Sequence, residues 1–299
     1  MESANAASAA SAKRSSSLAQ RVLTAALAVP VLAGLIWLGI WPLSLLVTVA
    51  VLLGLNELYS ALAHAGFRPR VIEGALAGVL FCVAAAARPF LAVDLTGLAL
   101  ALIVCGSLIA ELARRDREGA LASWALTLAG ACYVGWLLSH FILLRQLNTP
   151  LRPGSWLTPL RIEPGAAWVY AVLTITWLQD TGAYFTGRAI GRHKMSPSLS
   201  PNKTWEGAAG GVAASVATAL LLVPLLGLPV SYAGAALLGV VGAAFGIIGD
   251  LAESFIKRQV ALKDLGALLP GHGGVLDRAD SIMFTGPILY YLIVVLAGR

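Results

Sequence analysis

An all-α, polytopic integral membrane protein is the fold class the sequence predicts, and three observations predict it. Hydrophobic residues make up 58% of the 299-residue chain, charged residues only 12%, and the mean hydropathy is +0.81. A soluble domain carries about 25% charged residues, so this chain has too little polar surface to coat a globule and needs a bilayer as solvent. Next, about nine apolar segments of bilayer length follow one another, approximately 19–40, 43–63, 73–92, 94–113, 121–144, 166–187, 207–228, 231–250 and 279–298. Twenty residues at about 1.5 Å rise cross a hydrocarbon core of roughly 30 Å. Finally, the breaks fall at helix-stopping residues: Trp41-Pro42, 66–69, Arg88-Pro89, the 150–164 loop and Leu228-Pro229.

In chain order, residues 1–17 form an Ala/Ser-rich tail that reads as disordered. The apolar run 22–40 is long for a signal peptide and other spans follow directly, so it reads as an uncleaved first helix. Residues 18–165 supply the N-terminal transmembrane helices. Residues 166–299 form a C-terminal transmembrane region carrying two polar loops, 188–206 and 250–280. Cys82, Cys105 and Cys132 each lie inside an apolar run without metal-site spacing, and read as packing residues.

Charge sets the orientation. With the N-terminus inside and the spans alternating, sixteen of the 21 Lys and Arg residues fall on the inner side and five on the outer. The positive-inside bias therefore predicts a cytoplasmic N-terminus, an odd number of spans and cytosolic loops at 188–206 and 250–280. The net charge of +6 is spread between apolar runs rather than along one face, which argues against nucleic acid as a partner.

The chemistry-bearing residues concentrate in those two loops. Read as a helix, Asp250, Glu253, Ser254, Lys257 and Arg258 share one stripe at the end of an apolar span. Acids at membrane depth are costly and mark function by default, although a stripe at a helix end also suits simple contact with solvent. Further on, His272-Gly273-Gly274 leads to Asp277-Arg278 and Asp280. Adjacent glycines let backbone N–H groups approach a phosphate. Asp277 and Asp280 on a first helical turn suit either chemistry or capping. Upstream, Trp177, Asp180, Thr181, Tyr184 and Arg188 share a second stripe, before Leu199-Ser200-Pro201-Asn202-Lys203-Thr204-Trp205-Glu206-Gly207. That block suits triphosphate contact, or a turn and a helix start. Glu57, inside the second apolar run, either lines a lipid pocket or pairs with another helix. The small residues of 208–211 suit close helix packing and self-association as a homodimer.

The run Ser254-x2-Lys257-Arg258-x4-Lys263-Asp264-x-Gly266-x2-Leu269-Pro270-x-His272-Gly273-Gly274-x2-Asp277-Arg278-x-Asp280 resembles the signature of the phosphatidate cytidylyltransferase (CDP-diacylglycerol synthase) family. Ala279 departs from it, standing where a larger apolar residue or Thr is usual. The block from Gln179 to Gly207 resembles the family's upstream elements in the same order. The resemblance implies CTP and phosphatidate as substrates, CDP-diacylglycerol and pyrophosphate as products, and a cytoplasmic membrane location. Mg²⁺ commonly takes one or two carboxylates, with water and phosphate filling the remaining positions. Asp250 and Asp277 are expected to be those carboxylates, by that chemistry and by the resemblance, which also allows a second cation.

Lys203, Lys257, Arg258, Lys263 and Arg278 would neutralise the triphosphate and the lipid headgroup. Ser200, Thr204, Ser254, Gly273 and Gly274 would contact substrate. Asp180 would support the metal or a basic residue, and Asp264 would orient a neighbouring cation. His272 is a phosphate donor, a support for a ligand or a loop hydrogen bond. Two rival functions remain: a CTP-dependent polyprenol or phytol kinase, against which the full signature weighs, and a non-enzymatic transporter. Transporters tend to place acids in broken mid-membrane helices, whereas these acids sit at helix ends. No G-x-x-x-x-G-K-[ST] phosphate loop is present.

Overall fold

The computed structural model describes residues 26–91, 95–113, 118–266 and 273–298. The expected N-terminal tail and His272 lie outside the described residues. Helices account for nearly all of the regular structure: α1 (Ala26–Leu38), α2 (Ile40–His64), α3 (Val71–Ala87), α4 (Thr96–Leu112), α5 (Ala120–Gly130), α6 (Leu137–Arg145), α7 (Pro164–Ile190), α8 (Trp205–Leu226), α9 (Tyr232–Gln259) and α10 (Leu276–Ala297). A π-helical stretch, Ala131–Trp136, joins α5 to α6 as one continuous rod. Among the described residues, six helical stretches are long and apolar enough to cross a membrane, and α1 and α4 are shorter apolar helices. Helix α7 has the length of a span, but Thr174, Thr176, Gln179, Asp180 and Thr181 make it more polar.

Local chemistry explains the ends. Pro164 opens α7, where a missing N–H costs nothing. The Thr204 hydroxyl accepts the Gly207 amide at 3.1 Å to cap α8, and Ser231 accepts the Gly234 amide at 3.0 Å to cap α9. Helices α7, α8, α9 and α10 pack together into the C-terminal half, while α2, α3 and the α5–α6 rod build the other half and meet α10. One continuous apolar core joins the halves, with Trp168, Ile142, Leu144 and Leu276 fully buried within it.

The connections gather at two ends. Residues 38–42, 86–90, 145–148 and 163–165 line one recess, and Arg152 reaches Gly227 and Val230 at the same end. At the other end, the Ser123 hydroxyl donates to the Arg68 carbonyl, and Arg70 pairs with Glu73.

Both polar segments carry regular structure. The 188–206 segment is not only loop: β1 (Lys194–Ser196) and β2 (Ser200–Thr204) form an antiparallel hairpin, with Lys194 opposite Thr204. Glu206 braces it, accepting the Arg192 and His193 amides and meeting the His193 ring at 2.5 Å. Within 250–280, α9 continues to Gln259 and α10 begins at Leu276. The polar stripe of α9 lets it run on past the apolar span.

Candidate active site

A recess of about 600 Å³ opens between α7, the hairpin, α8 and α9. Its walls carry Asp180, Arg188, Lys194, Ser200, Lys203, Thr204 and Asp250. The hairpin is what brings Ser200 and Lys203 over the end of α7, and the cap at Thr204 turns the chain directly into α8. Lys203 Nζ stands 2.6 Å from Asp250 Oδ2, a close ion pair whose angles depart from hydrogen-bond alignment. Arg188 donates to the Tyr184 hydroxyl at 2.9 Å on the opposite wall.

Behind this pair lies an acidic cluster. Carboxylate oxygens of Asp250, Glu253 and Asp280 all lie within 4.8 Å of one another. Asp250 and Glu253 are one turn apart on α9, and Asp280 comes from the first turns of α10. The close approach of the two helices depends on Gly249, where a Cβ would stand 2.5 Å from the Asp280 carbonyl oxygen. Asp180 lines the same recess as Lys203 and Asp250.

Lys257 joins this cluster to Asp277. Its ammonium is 2.5 Å from Glu253 Oε2 and 3.0 Å from Asp277 Oδ1. The other Asp277 oxygen accepts the Gly274 amide at 2.8 Å, and Gly273 turns the chain with φ +82°. The geometry thus groups Asp250 directly with Glu253 and Asp280, and connects it to Asp277 through Lys257. The Gly274 amide, expected to face a phosphate, is engaged by Asp277.

The other expected residues are more scattered. Ser254 is buried on α9, and Arg258 donates to the Leu199 carbonyl at 3.3 Å, tying α9 to the hairpin. Arg278 is exposed on the first turn of α10. Lys263 and Asp264 are exposed on the turn after α9 and stand apart from the acid–lysine network among the described residues. Glu253 and Asp280 stand in the sequence motifs, but the motifs alone assign them no role. The signal was their spacing, i+3 from Asp250 and i+3 from Asp277. Gln179, buried on the wall of the recess with no hydrogen-bond partner for Oε1 among the described residues, has no sequence signal beyond its place beside Asp180.

Each carboxylate pair at such separations repels by about 3–4 kcal/mol at an effective dielectric near 20. Lys203 and Lys257 offset only part of a cluster of Asp180, Asp250, Glu253, Asp277 and Asp280. Glu253 is 1% exposed, and its Oε1 has no hydrogen-bond partner among the described residues. An all-oxygen donor set with excess negative charge and an orphaned carboxylate oxygen fits a hard divalent cation.

Apolar helical spans, an acid–lysine cluster at helix ends and a recess carrying basic side chains fit a class of membrane-embedded proteins that handle phosphate anions. The family follows from comparison. Residues 19–296 match the sequence profile of the Cytidylyltransferase family, and the chain belongs to that family. It is 32% identical over 292 residues to a phosphatidate cytidylyltransferase of Synechocystis, covering 93% of this chain and 97% of that protein. It is 38% identical over 168 residues to the Bacillus subtilis phosphatidate cytidylyltransferase, 56% of this chain and 57% of that one. Over 129 residues it is 47% identical to the Brucella suis protein of the same name, 43% of this chain and 47% of that one. The family expected from the signature is therefore borne out.

Proposed function

We propose that this protein is a phosphatidate cytidylyltransferase, making CDP-diacylglycerol and pyrophosphate from CTP and phosphatidate at the inner face of a cytoplasmic membrane. The observation that carries this reading is the Lys203–Asp250 pair, which stands where the basic-walled recess meets the acidic cluster. The recess takes the CTP, and Lys203, Lys194 and Arg188 on its walls neutralise the triphosphate. A phosphatidate oxygen attacks the α-phosphorus, the bond to the bridging oxygen breaks, and pyrophosphate leaves.

The attacking phosphate has a second pKa of about 6, so it is largely dianionic near neutral pH and needs little help from a base. What the chain must supply is alignment and positive charge. Asp250, Glu253 and Asp280 are the residues that would hold Mg²⁺, with Asp277 adjoining them across Lys257. When bound there, Mg²⁺ would offset repulsion between the two phosphates and polarise the α-phosphate. Lys257 keeps Glu253 and Asp277 in register while those charges shift. Tyr184, Phe185, Trp205 and Phe255 are exposed around this level. Aromatic side chains of that kind suit the bilayer interface, where a lipid headgroup can reach the cluster.

Nine spans with a cytosolic N-terminus complete the reading. It is supported by the asymmetry of Lys and Arg and by the gathering of alternate connections at the same end. The deciding assay uses purified protein with CTP, Mg²⁺ and phosphatidate. CDP-diacylglycerol and pyrophosphate should appear together, and omission of the lipid should abolish both. Release of CDP with a newly phosphorylated lipid would replace this reading with a lipid kinase.

A further inference from the structure

Glu57 lies in α2, far from the C-terminal motifs in sequence, and is 8% exposed. Its carboxylate points into the start of α10. Oε1 accepts the Val275 amide and Oε2 accepts the Leu276 amide, each at 3.0 Å. Those amides belong to the first turn of a helix, where backbone donors lack partners within the helix itself. Val275, at the cap position, contributes no side-chain hydrogen bond. A side chain from another helix therefore does the capping, and its negative charge also complements the positive end of the helix dipole.

The preceding amide, Gly274, goes to Asp277. Three successive backbone donors are thus held by two carboxylates, one of which belongs to the acid–lysine network. Glu57 also contacts both flanks of the signature segment, because a Cβ at Gly266 or at Gly274 would collide with its carboxyl group. A side chain at either glycine would displace that carboxylate. Asp277 follows Leu276 directly, and Asp280 lies one turn further on. Glu57 thus holds the amides at which α10 begins, directly before Asp277.

We propose that Glu57 is a positioning residue for cytidylyl transfer: it ties the start of α10 to α2 and fixes Asp277 and Asp280 in place. This rests on the reading of the acidic cluster as the cation site. Replacement by Gln keeps the shape but turns an NH₂ donor toward one of the two amides. Replacement by Asp keeps both acceptor oxygens on a shorter stem. Neighbours of Glu57 on α2, such as Leu55, Leu58 and Tyr59, pack in the apolar core without it.

The test compares the parent with Glu57→Gln and Glu57→Asp, all full-length in detergent. It measures Tm, the Mg²⁺ dependence of CDP-diacylglycerol formation, and hydrogen exchange of the Val275 and Leu276 amides. Glu57→Gln should keep a Tm within a few degrees of the parent yet lose roughly 10–100-fold in turnover, the usual cost of removing a residue that orients metal ligands. It should need more Mg²⁺ for half-maximal rate and exchange both amides faster, and Glu57→Asp should recover part of each. Parental turnover and Mg²⁺ dependence in Glu57→Gln would overturn the proposal. So would a loss that only follows the folded fraction, or failure of both variants to fold. If the parent itself ignores Mg²⁺, the cation reading falls, and turnover with amide exchange still decides the role of Glu57.

Discussion

At the scale of single residues, Lys257 has the most exacting position. Its ammonium serves two carboxylates, and one of them, Glu253, is almost wholly buried. Removing one partner from a buried ion pair costs about 3 kcal/mol or more, because a charge is stranded away from water. Lys257→Met should therefore lower Tm by roughly 5–10 °C and depress turnover. Adding Asp277→Asn should restore part of the stability, since the second change removes a stranded charge. Thermal unfolding of the single and double variants measures this directly. Asp250 acts differently, being half-exposed and paired with Lys203 on the wall of the recess. Asp250→Asn keeps the shape but removes charge from the proposed cation site, so turnover should fall about 100-fold or more with little change in Tm. Near-normal Mg²⁺-dependent turnover in that variant would remove Asp250 from the cation site.

Among the elements, the approach of α9 to α10 and the junction of the hairpin with α8 decide the site. Gly249→Ala would place a methyl group against the Asp280 carbonyl and the Phe284 ring. Overpacking of this kind costs about 1–3 kcal/mol, and here it also parts Asp250 from Asp280. Activity should fall by more than the loss of folded protein accounts for, and a Tm measured beside the rate separates the two. Thr204→Ala removes the cap of α8 and should cost about 1 kcal/mol, a drop of a few degrees in Tm, whereas Thr204→Ser should keep the cap. Much of this level was legible beforehand. The stripe of Asp250, Glu253 and Lys257 follows from helical spacing, and the Ser-Pro-Asn-Lys-Thr block announced a turn followed by a helix start. The hairpin itself was not legible, because its two strands are short and lack the alternation of a half-buried strand.

For the molecule as a whole, the two halves differ in chemistry. The C-terminal half carries the recess and the acidic cluster, while the N-terminal half supplies apolar packing and, at Glu57, a brace for α10. Topology is the property to test at this scale. A reporter fused ahead of residue 26 should be cytosolic, and one fused after residue 298 should face the other side. A cytosolic C-terminal reporter would overturn the odd number of spans. The Arg152 loop, bonded to Gly227 and Val230, should resist cytosolic proteases, and the 194–204 hairpin should be accessible to them.

Amino-acid order alone determined the membrane class, the approximate places of the apolar segments and the family signature. Hydropathy sums over a local window, and a motif is a matter of spacing along one chain. Tertiary structure alone decided which carboxylates share a volume. Asp250 meets Asp280 because Gly249 lets two helices touch, and Asp277 is reached through Lys257. Glu57 caps a helix that begins 219 positions later. Contacts of that kind depend on how rods cross in three dimensions, which no spacing along the chain records.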